Sequence, residues 1–324
     1  MDAEQTATGQ ATGTMMALRA HERGGPEVLV YEEAPLPHAG PDEIRVAVHA
    51  AGITFAELTW PETWTSNGVD RTPIIPSHEF AGVVAQVGAG VSDLAVGDPV
   101  FGLVPFNRDG AAAEFVVVPA ADAARKPAGV TDVDAAAAVL PALTAWEALR
   151  EQAHLEAGQR ILILGGTGGV GAFLAQFAHG MGAEVTVTVS SASNEARAKS
   201  LGADHVVVAG HDEDPRGLAG FDVAIDAAGI QVPEWVYMSL APGGLLVVLQ
   251  EPPSEELAAK YGVRSAFFVV TTSRERLDEL GALLAAGGVG VAVAQTFDLP
   301  GGRAAYESGT APGRAPGKTV IVVD

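Results

Sequence analysis

The chain contains no cysteine, and that absence closes several chemistries at once. Disulfides, cysteine nucleophiles, thiolate zinc centres and iron–sulfur clusters all need a thiol. Positive charge is the next shortage. Nineteen Lys plus Arg, only four of them lysine, stand against 40 Asp plus Glu, a formal net charge of −21 over 324 residues. A surface of that sign repels nucleic acid and anionic membrane, so neither is an expected partner. An anionic ligand would also enter against the overall field, so local cations must carry its binding. Long apolar runs are missing too: nothing approaches about 18 uninterrupted apolar residues, and segment 135–149 is broken by Pro141 and Glu147. Met1 to Thr14 is polar, without the apolar core of a signal or transit peptide, and reads as a disordered tail on a soluble cytoplasmic protein.

Glycine, by contrast, is abundant. Ile161 to Leu164 is an apolar run, followed by Gly166, Gly168 and Gly171 in G-x-G-x-x-G spacing, then by Ala172 to Ala178 with helical periodicity. A dinucleotide pyrophosphate needs that order. The strand ends, glycines permit a sharp turn, and a helix start offers unpaired N–H groups and partial positive charge. With 39 glycines in the chain, the flanking strand and helix carry the inference, not the spacing alone.

The second strand, 183–190, ends in Ser190 and Ser191, where an NAD-binding unit usually has an acid for the ribose 2′-OH. Hydroxyls with Arg197 and Lys199 nearby suit a 2′-phosphate, so NADPH is expected. The alternative is that Ser190 to Asn194 simply caps the helix 195–201.

Residues 16–130 read as short strands with Gly/Pro punctuation, Asp109-Gly110 marking a hairpin, which suggests a partly open β-barrel. From about Asp132 strands alternate with helices, and 291–297 and 319–323 again look like barrel strands. The expected fold class is α/β: a doubly wound parallel sheet over 131–270, inserted into a β-barrel domain formed by 15–130 and 271–324, with 1–14 as tail. The cleft between the two domains is the default active site.

The chain resembles the medium-chain dehydrogenase/reductase superfamily over essentially its whole length after the tail. Gly24-Gly-Pro-Glu-Val28, Ala50-Ala-Gly-Ile53, Pro76-Ser-His-Glu-Phe-Ala-Gly82, Val96-Gly-Asp-Pro-Val100, Leu143-Thr-Ala-Trp146, the glycine turn, Leu201-Gly-Ala-Asp204 and Gly317-Lys-Thr-Val320 carry the resemblance. It implies a GroES-like barrel with a Rossmann domain, and it is most similar to the zinc-independent NADPH quinone oxidoreductase and enoyl reductase branch. Where zinc-dependent relatives carry metal ligands, this chain has Thr54, His78 and, near the third position, Pro141 or Ala142. One imidazole does not hold a catalytic zinc, so no metal is expected. Glu57 falls where relatives orient the ligand histidine. A Glu57–His78 pair either lines the pocket or survives as a structural hydrogen bond.

Without zinc, and without the Tyr-x-x-x-Lys pair of short-chain reductases, a simple ketone lacks help on its oxygen. A quinone or an α,β-unsaturated carbonyl asks less, because hydride adds at a remote carbon and the charge spreads to an oxygen that hydrogen bonds hold. Thr54, with Trp60 and Trp64 as an aromatic wall and Tyr261 as a donor, are the candidate catalytic residues; the tryptophans have core packing as the alternative. The resemblance implies cofactor contacts at Thr144, at Gly166, Thr167, Gly168, Gly169 and Val170, and at Ser190, Ser191 and Arg197 for the 2′-phosphate. It adds Ala227, Leu249, Gln250, Phe267, Phe268, Val269 and Lys318, the last with a solvated lysine in a Gly/Pro-rich turn as its alternative. It also implies a homodimer through the edge segment Ser265 to Val270. A metal-free ketoreductase or alcohol dehydrogenase, and a non-catalytic NADPH-binding protein, are the competing readings.

Overall fold

The computed structural model describes residues 13–210, 213–228, 231–311 and 313–323. Residues 1–12 of the expected tail lie outside it, and Thr14, assigned to that tail, instead begins a strand. The strands β1 (Thr14–Ala20) and β2 (Leu29–Pro35) pair antiparallel with each other over their full length. Next comes β3 (Glu43–Ile53), whose burial changes along its length. It alternates as far as Val48, then Ala50 to Ile53 are buried without interruption, as in a strand covered on both faces.

A short helix α1 (Pro61–Trp64) leads into the small hairpin β4 (Thr65–Ser66) and β5 (Val69–Asp70). Its turn is Asn67-Gly68, both at positive φ (51° and 77°), the pair a two-residue primed turn demands. The barrel continues with β6 (Glu79–Val87), β7 (Pro99–Leu103), β8 (Phe115–Pro119) and β9 (Ala123–Arg125). The hairpin expected at Asp109-Gly110 does not form. β7 pairs with β6 and β9, whereas β8 pairs with β3. Asp109 and Gly110 instead bond the loop at Ile75: Ile75 N donates to Asp109 Oδ1 (3.2 Å) and Gly110 N donates to Ile75 O (2.7 Å).

Helix α2 (Asp132–Glu147) starts at Thr131, whose Oγ1 accepts from Asp134 N at 3.0 Å, an N-cap in the usual sense. Its alanines Ala135–Ala138 are fully buried. The alternating unit follows: β10 (Arg160–Leu164), α3 (Gly169–Gly180), β11 (Glu184–Val189), α4 (Glu195–Ser200), β12 (His205–Val208), β13 (Phe221–Asp226), α5 (Glu234–Ser239), β14 (Leu240–Val248), α6 (Glu255–Tyr261) and β15 (Arg264–Phe267). All six strands are parallel, in the order β12-β11-β10-β13-β14-β15. Along β10 the side chains alternate between two cores. Ile161 and Ile163 join α2 and α3, while Leu162 and Leu164 join Trp235, Val236 and Tyr237 on the other face, the period-two behaviour that buries a sheet on both sides.

The chain ends with α7 (Arg274–Ala285), β16 (Val293–Asp298), α8 (Gly302–Glu307) and β17 (Lys318–Val322). β17 returns to the barrel, antiparallel to β3 with Thr319 opposite Ile53, so the parallel unit is an insertion in the barrel sheet β16-β17-β3-β6-β7-β9. Two details differ from the sequence expectation. The edge strand β15 stops at Phe267, so Phe268 to Val270 do not extend it. Leu277 and Leu280 of α7, assigned with the barrel, pack in the same apolar cluster as Ile161 and Ala135.

Candidate active site

In the parallel sheet the strand order reverses between β10 and β13, and the crevice at their carboxyl ends is where such folds bind ligands. The turn leaving β10 is tight. Gly165 has φ +75°, a conformation only glycine adopts freely. A Cβ on Gly171 would collide with the carbonyl oxygen of Gly165, so the helix start can approach the strand end only without a side chain there. Helix α3 then begins at Gly169, with Gly168 as its N-cap and no side chain capping its first N–H groups. These features fit a dinucleotide pyrophosphate.

A cavity of about 530 Å³ opens between this crevice and the barrel. Gly169, Val170, Ala227, Leu249, Gln250, Phe267, Phe268 and Val269 line its sheet side, with Thr144 from α2. Thr144 Oγ1 donates to Leu140 O at 2.7 Å, so this buried hydroxyl offers a ligand only its acceptor lone pairs. The barrel side contributes Thr54, Phe55, Trp60 and Phe106, with Trp60 and Phe106 edge to face at 5.3 Å.

Lys318, on β17, is the cavity's best-held cation. It is 8% exposed, and its Nζ donates to Glu79 Oε2 and, at 3.0 Å, to Thr54 Oγ1. The alternative of a solvated lysine is thereby overturned: β17 pairs with β3 beside Thr54, which draws the lysine inward. Its stem passes the glycine turn, since a Cβ on Gly169 would lie 3.6 Å from Lys318 Cδ. Glu79 is 1% exposed. Burial raises its pKa, opposed by the Lys318 charge and by hydrogen bonds from Lys318, Leu140 N and Thr54. Two of the three ammonium protons are thus committed, and the third has no partner among the described residues. Glu79 was not a sequence candidate, although it sits in the Pro76–Gly82 motif beside His78.

Glu57 and His78 do not form the expected hydrogen bond. They approach only to 3.7 Å, and neither lines the cavity. Glu57 Oε1 accepts instead from Tyr306 Oη of α8, and Glu57 Oε2 accepts from Ser77 N at 3.0 Å. Burial pushes the Glu57 pKa up to about 7, with Tyr306, Ser77 and the Lys318 charge pulling it down. The His78 ring packs edge to face on Phe106, and both its nitrogens lack a hydrogen-bond partner among the described residues. Burial first, then the Arg71 charge, lowers its pKa to about 3, which keeps the ring neutral. The Tyr306 link spans 249 positions of sequence and carries no local signal.

Two catalytic candidates lie elsewhere. Trp64 is 3% exposed in the barrel core, its indole N–H donating to Leu58 O at 2.8 Å. Tyr261, at the end of α6, donates to Glu234 Oε1 at 2.6 Å and packs against the apolar cluster that holds Leu162 and Leu164. Gly166, Thr167 and Gly168 build the turn beneath the cavity wall rather than the wall itself. Ser190, Ser191 and Arg197 sit beyond the end of β11, outside the cavity. Ser191 does cap the following turn, Oγ accepting from Ser193 N at 3.3 Å. Arg197 Nε is buried without a hydrogen-bond partner among the described residues. The sequence reading also missed Phe55, Phe106 and Arg314 in the cavity wall.

The three expected zinc-ligand positions hold Thr54, a buried His78 that faces Phe106, and Pro141 or Ala142. Among the described residues no group of three His, Asp or Glu converges, and the chain has no cysteine. These residues do not fit a catalytic zinc.

Residues 169–268 match the model of the zinc-binding dehydrogenase family, and residues 40–128 that of the alcohol dehydrogenase GroES-like domain. The chain is 30% identical over 328 residues to the mitochondrial NAD(P)H oxidoreductase RTN4IP1 of Danio rerio, covering 87% of this chain and 84% of that one. It is 37% identical over 193 residues to a mycocerosic acid synthase-like polyketide synthase of Mycobacterium tuberculosis, covering 59% of this chain but only 9% of the synthase. Among solved structures it is similar to a quinone oxidoreductase from Coxiella burnetii (TM-score 0.86, 26% identity, 96% of this chain and 100% of that one). An NAD-dependent alcohol dehydrogenase is similar to the same degree (TM-score 0.85, 26% identity, 96% and 100%).

Proposed function

As a member of the medium-chain dehydrogenase/reductase superfamily, in its quinone oxidoreductase branch, this chain is an oxidoreductase that uses a nicotinamide cofactor, and we propose that it reduces quinones or α,β-unsaturated carbonyls with NADPH and without zinc. The observation that carries this reading is the cavity itself: an aromatic and aliphatic wall with the anchored Lys318–Thr54 pair in it.

Bound NADPH would supply the hydride. Gly169 and Val170 would approach its pyrophosphate at the start of α3, with the Lys318 stem alongside. Thr144, Leu249, Gln250 and Phe267 to Val269 would enclose the nicotinamide end. Ser190, Ser191 and Arg197 would hold the 2′-phosphate, since no acid stands at the end of β11 to repel it. Phe106 and Trp60 exclude water and pack against a flat conjugated substrate. Lys318, anchored by Glu79, offers its remaining proton to the substrate oxygen, and Thr54 positions the ammonium. Charge delocalised over a conjugated system needs no stronger acid than that.

Steady-state oxidation of NADPH and NADH with a panel of quinones, enones, enoyl thioesters and secondary alcohols tests the proposal. Turnover of conjugated acceptors with NADPH, unaffected by chelators, is the expected result. Secondary-alcohol oxidation at rates comparable to quinone reduction would favour the metal-free alcohol dehydrogenase, and no turnover with any acceptor would leave only cofactor binding.

A further inference from the structure

The cavity wall holds a second cation, Arg314, for which the reduction reading gives no task. Its guanidinium lies over the Phe55 ring, Cζ 4.8 Å from the centroid, an arrangement that fixes the plane. Nη2 donates to Gly317 O (2.7 Å) and Thr319 Oγ1 (3.0 Å), and Nη1 donates to Ala315 O (3.3 Å). Of five N–H donors, one on Nη1 therefore remains for a ligand; Nε–H also has no hydrogen-bond partner among the described residues, but it is buried. Among the described residues no ion pair neutralises it either. Glu62 also lines the cavity but makes no ion pair with it, and Glu79 is held by Lys318. Burial alone is felt by the group, lowering its pKa with no carboxylate opposing. In a chain of net charge −21, an oriented, partly desolvated and unneutralised guanidinium in the wall of a mostly apolar cavity is complementary to an anion that arrives with a ligand.

The two cations are held differently. The Lys318 stem passes the glycine turn, and its Nζ is anchored by Glu79 and Thr54. Arg314 stacks on Phe55, which directly follows Thr54 on the barrel side. We propose that Arg314 recognises an anionic group, a carboxylate or a phosphate, on the conjugated carbonyl substrate, an inference that rests on the reduction reading above. The substrate class narrows accordingly to enones or enoyl compounds bearing a negative tail, with Phe106 and Trp60 on the apolar part.

The test compares 4-phenylbut-3-en-2-one with its ring-carboxylated analogue at low salt, in wild type, Arg314→Gln and Arg314→Lys. In wild type kcat/KM for the carboxylated enone should exceed that for the neutral one about tenfold or more, as expected of a charge-assisted hydrogen bond. Arg314→Gln should reduce the ratio to about two or less, and Arg314→Lys should fall between. The KM for NADPH should move less than twofold. Equal kcat/KM for the two enones in wild type overturns the proposal. So does a ratio that survives both substitutions, or an Arg314→Gln effect confined to the KM for NADPH, which would make the guanidinium a cofactor contact. If neither enone is reduced while the panel above also shows no turnover, the reduction reading falls, and calorimetric titration of the NADPH-loaded protein with the saturated carboxylate analogue still decides the anion site. Binding about tenfold weaker in Arg314→Gln supports it, and equal binding removes it.

Discussion

Replacing Lys318 by Met should expose how strongly the buried Glu79 depends on it. The pair is 9% and 1% exposed at the side chains, so the substitution leaves a desolvated carboxylate without its counterion. Removing one partner of a buried pair costs about 3–5 kcal/mol. The loss is limited by protonation, because burial already raises the Glu79 pKa above its ordinary 4.5 and loss of the lysine raises it further. An acid whose folded pKa is raised loses stability as pH climbs from its unfolded value toward the folded one. The gap between wild type and Lys318→Met should therefore widen as pH rises, by up to about 1.4 kcal/mol per pH unit. Urea unfolding followed by the fluorescence of the four tryptophans at pH 5, 6, 7 and 8 measures that gap. The double variant Lys318→Met with Glu79→Gln should recover stability relative to the single variant at pH 8, with a gap from wild type that is flat in pH. A pH-independent gap for the single variant, or no recovery in the double, refutes the coupling and with it the view of Lys318 as an anchored donor.

Glu57→Gln should remove a comparable slope. With its folded pKa about 7 against an ordinary 4.5, wild-type Glu57 loses stability between those pH values, so the variant should gain on wild type by up to about 3 kcal/mol from pH 4 to pH 8 in the same unfolding assay. Thr54→Ala should lower kcat/KM for a conjugated acceptor about tenfold or more by loosening the Lys318 ammonium, with Thr54→Ser restoring most of it. Trp64→Ala should cost about 3–5 kcal/mol of stability, read as a fall in thermal midpoint, without a specific rise in substrate KM. Arg197→Ala should raise the KM for NADPH about tenfold and leave that for NADH within twofold; equal effects on both would remove Arg197 from the 2′-phosphate site.

Strand and helix types in the parallel unit were readable because each signal is local. Apolar runs such as Ile161 to Leu164 end at a glycine, and Leu201-Gly-Ala-Asp204 follows a short helix. Errors arose where partners are remote. Trp64 and Trp60 look alike in sequence, four residues apart, yet one fills the barrel core and the other faces the cavity. Tyr261 reads as a free donor in sequence, but α5 brings Glu234 to it. Asp109-Gly110 has a hairpin's composition, but β8 had a better partner in β3, and the loop's bonds went to Ile75. Asn67-Gly68, which does turn a hairpin, went unread because its strands are only two residues long.

Residue order by itself determined the α/β class, the glycine turn, the insertion of a parallel sheet in a barrel, and the want of thiols for a zinc site. Those follow from periodicity, composition and backbone freedom, which need no distant partner. Tertiary structure decided which polar groups meet. The pairing of β17 with β3 set Lys318 on Glu79 and Thr54, the packing of α8 set Tyr306 on Glu57, and the loop before β17 laid Arg314 over Phe55. A charge buried without water is worth keeping only where another chain segment supplies its partner, and that placement belongs to the fold, not to any stretch of sequence.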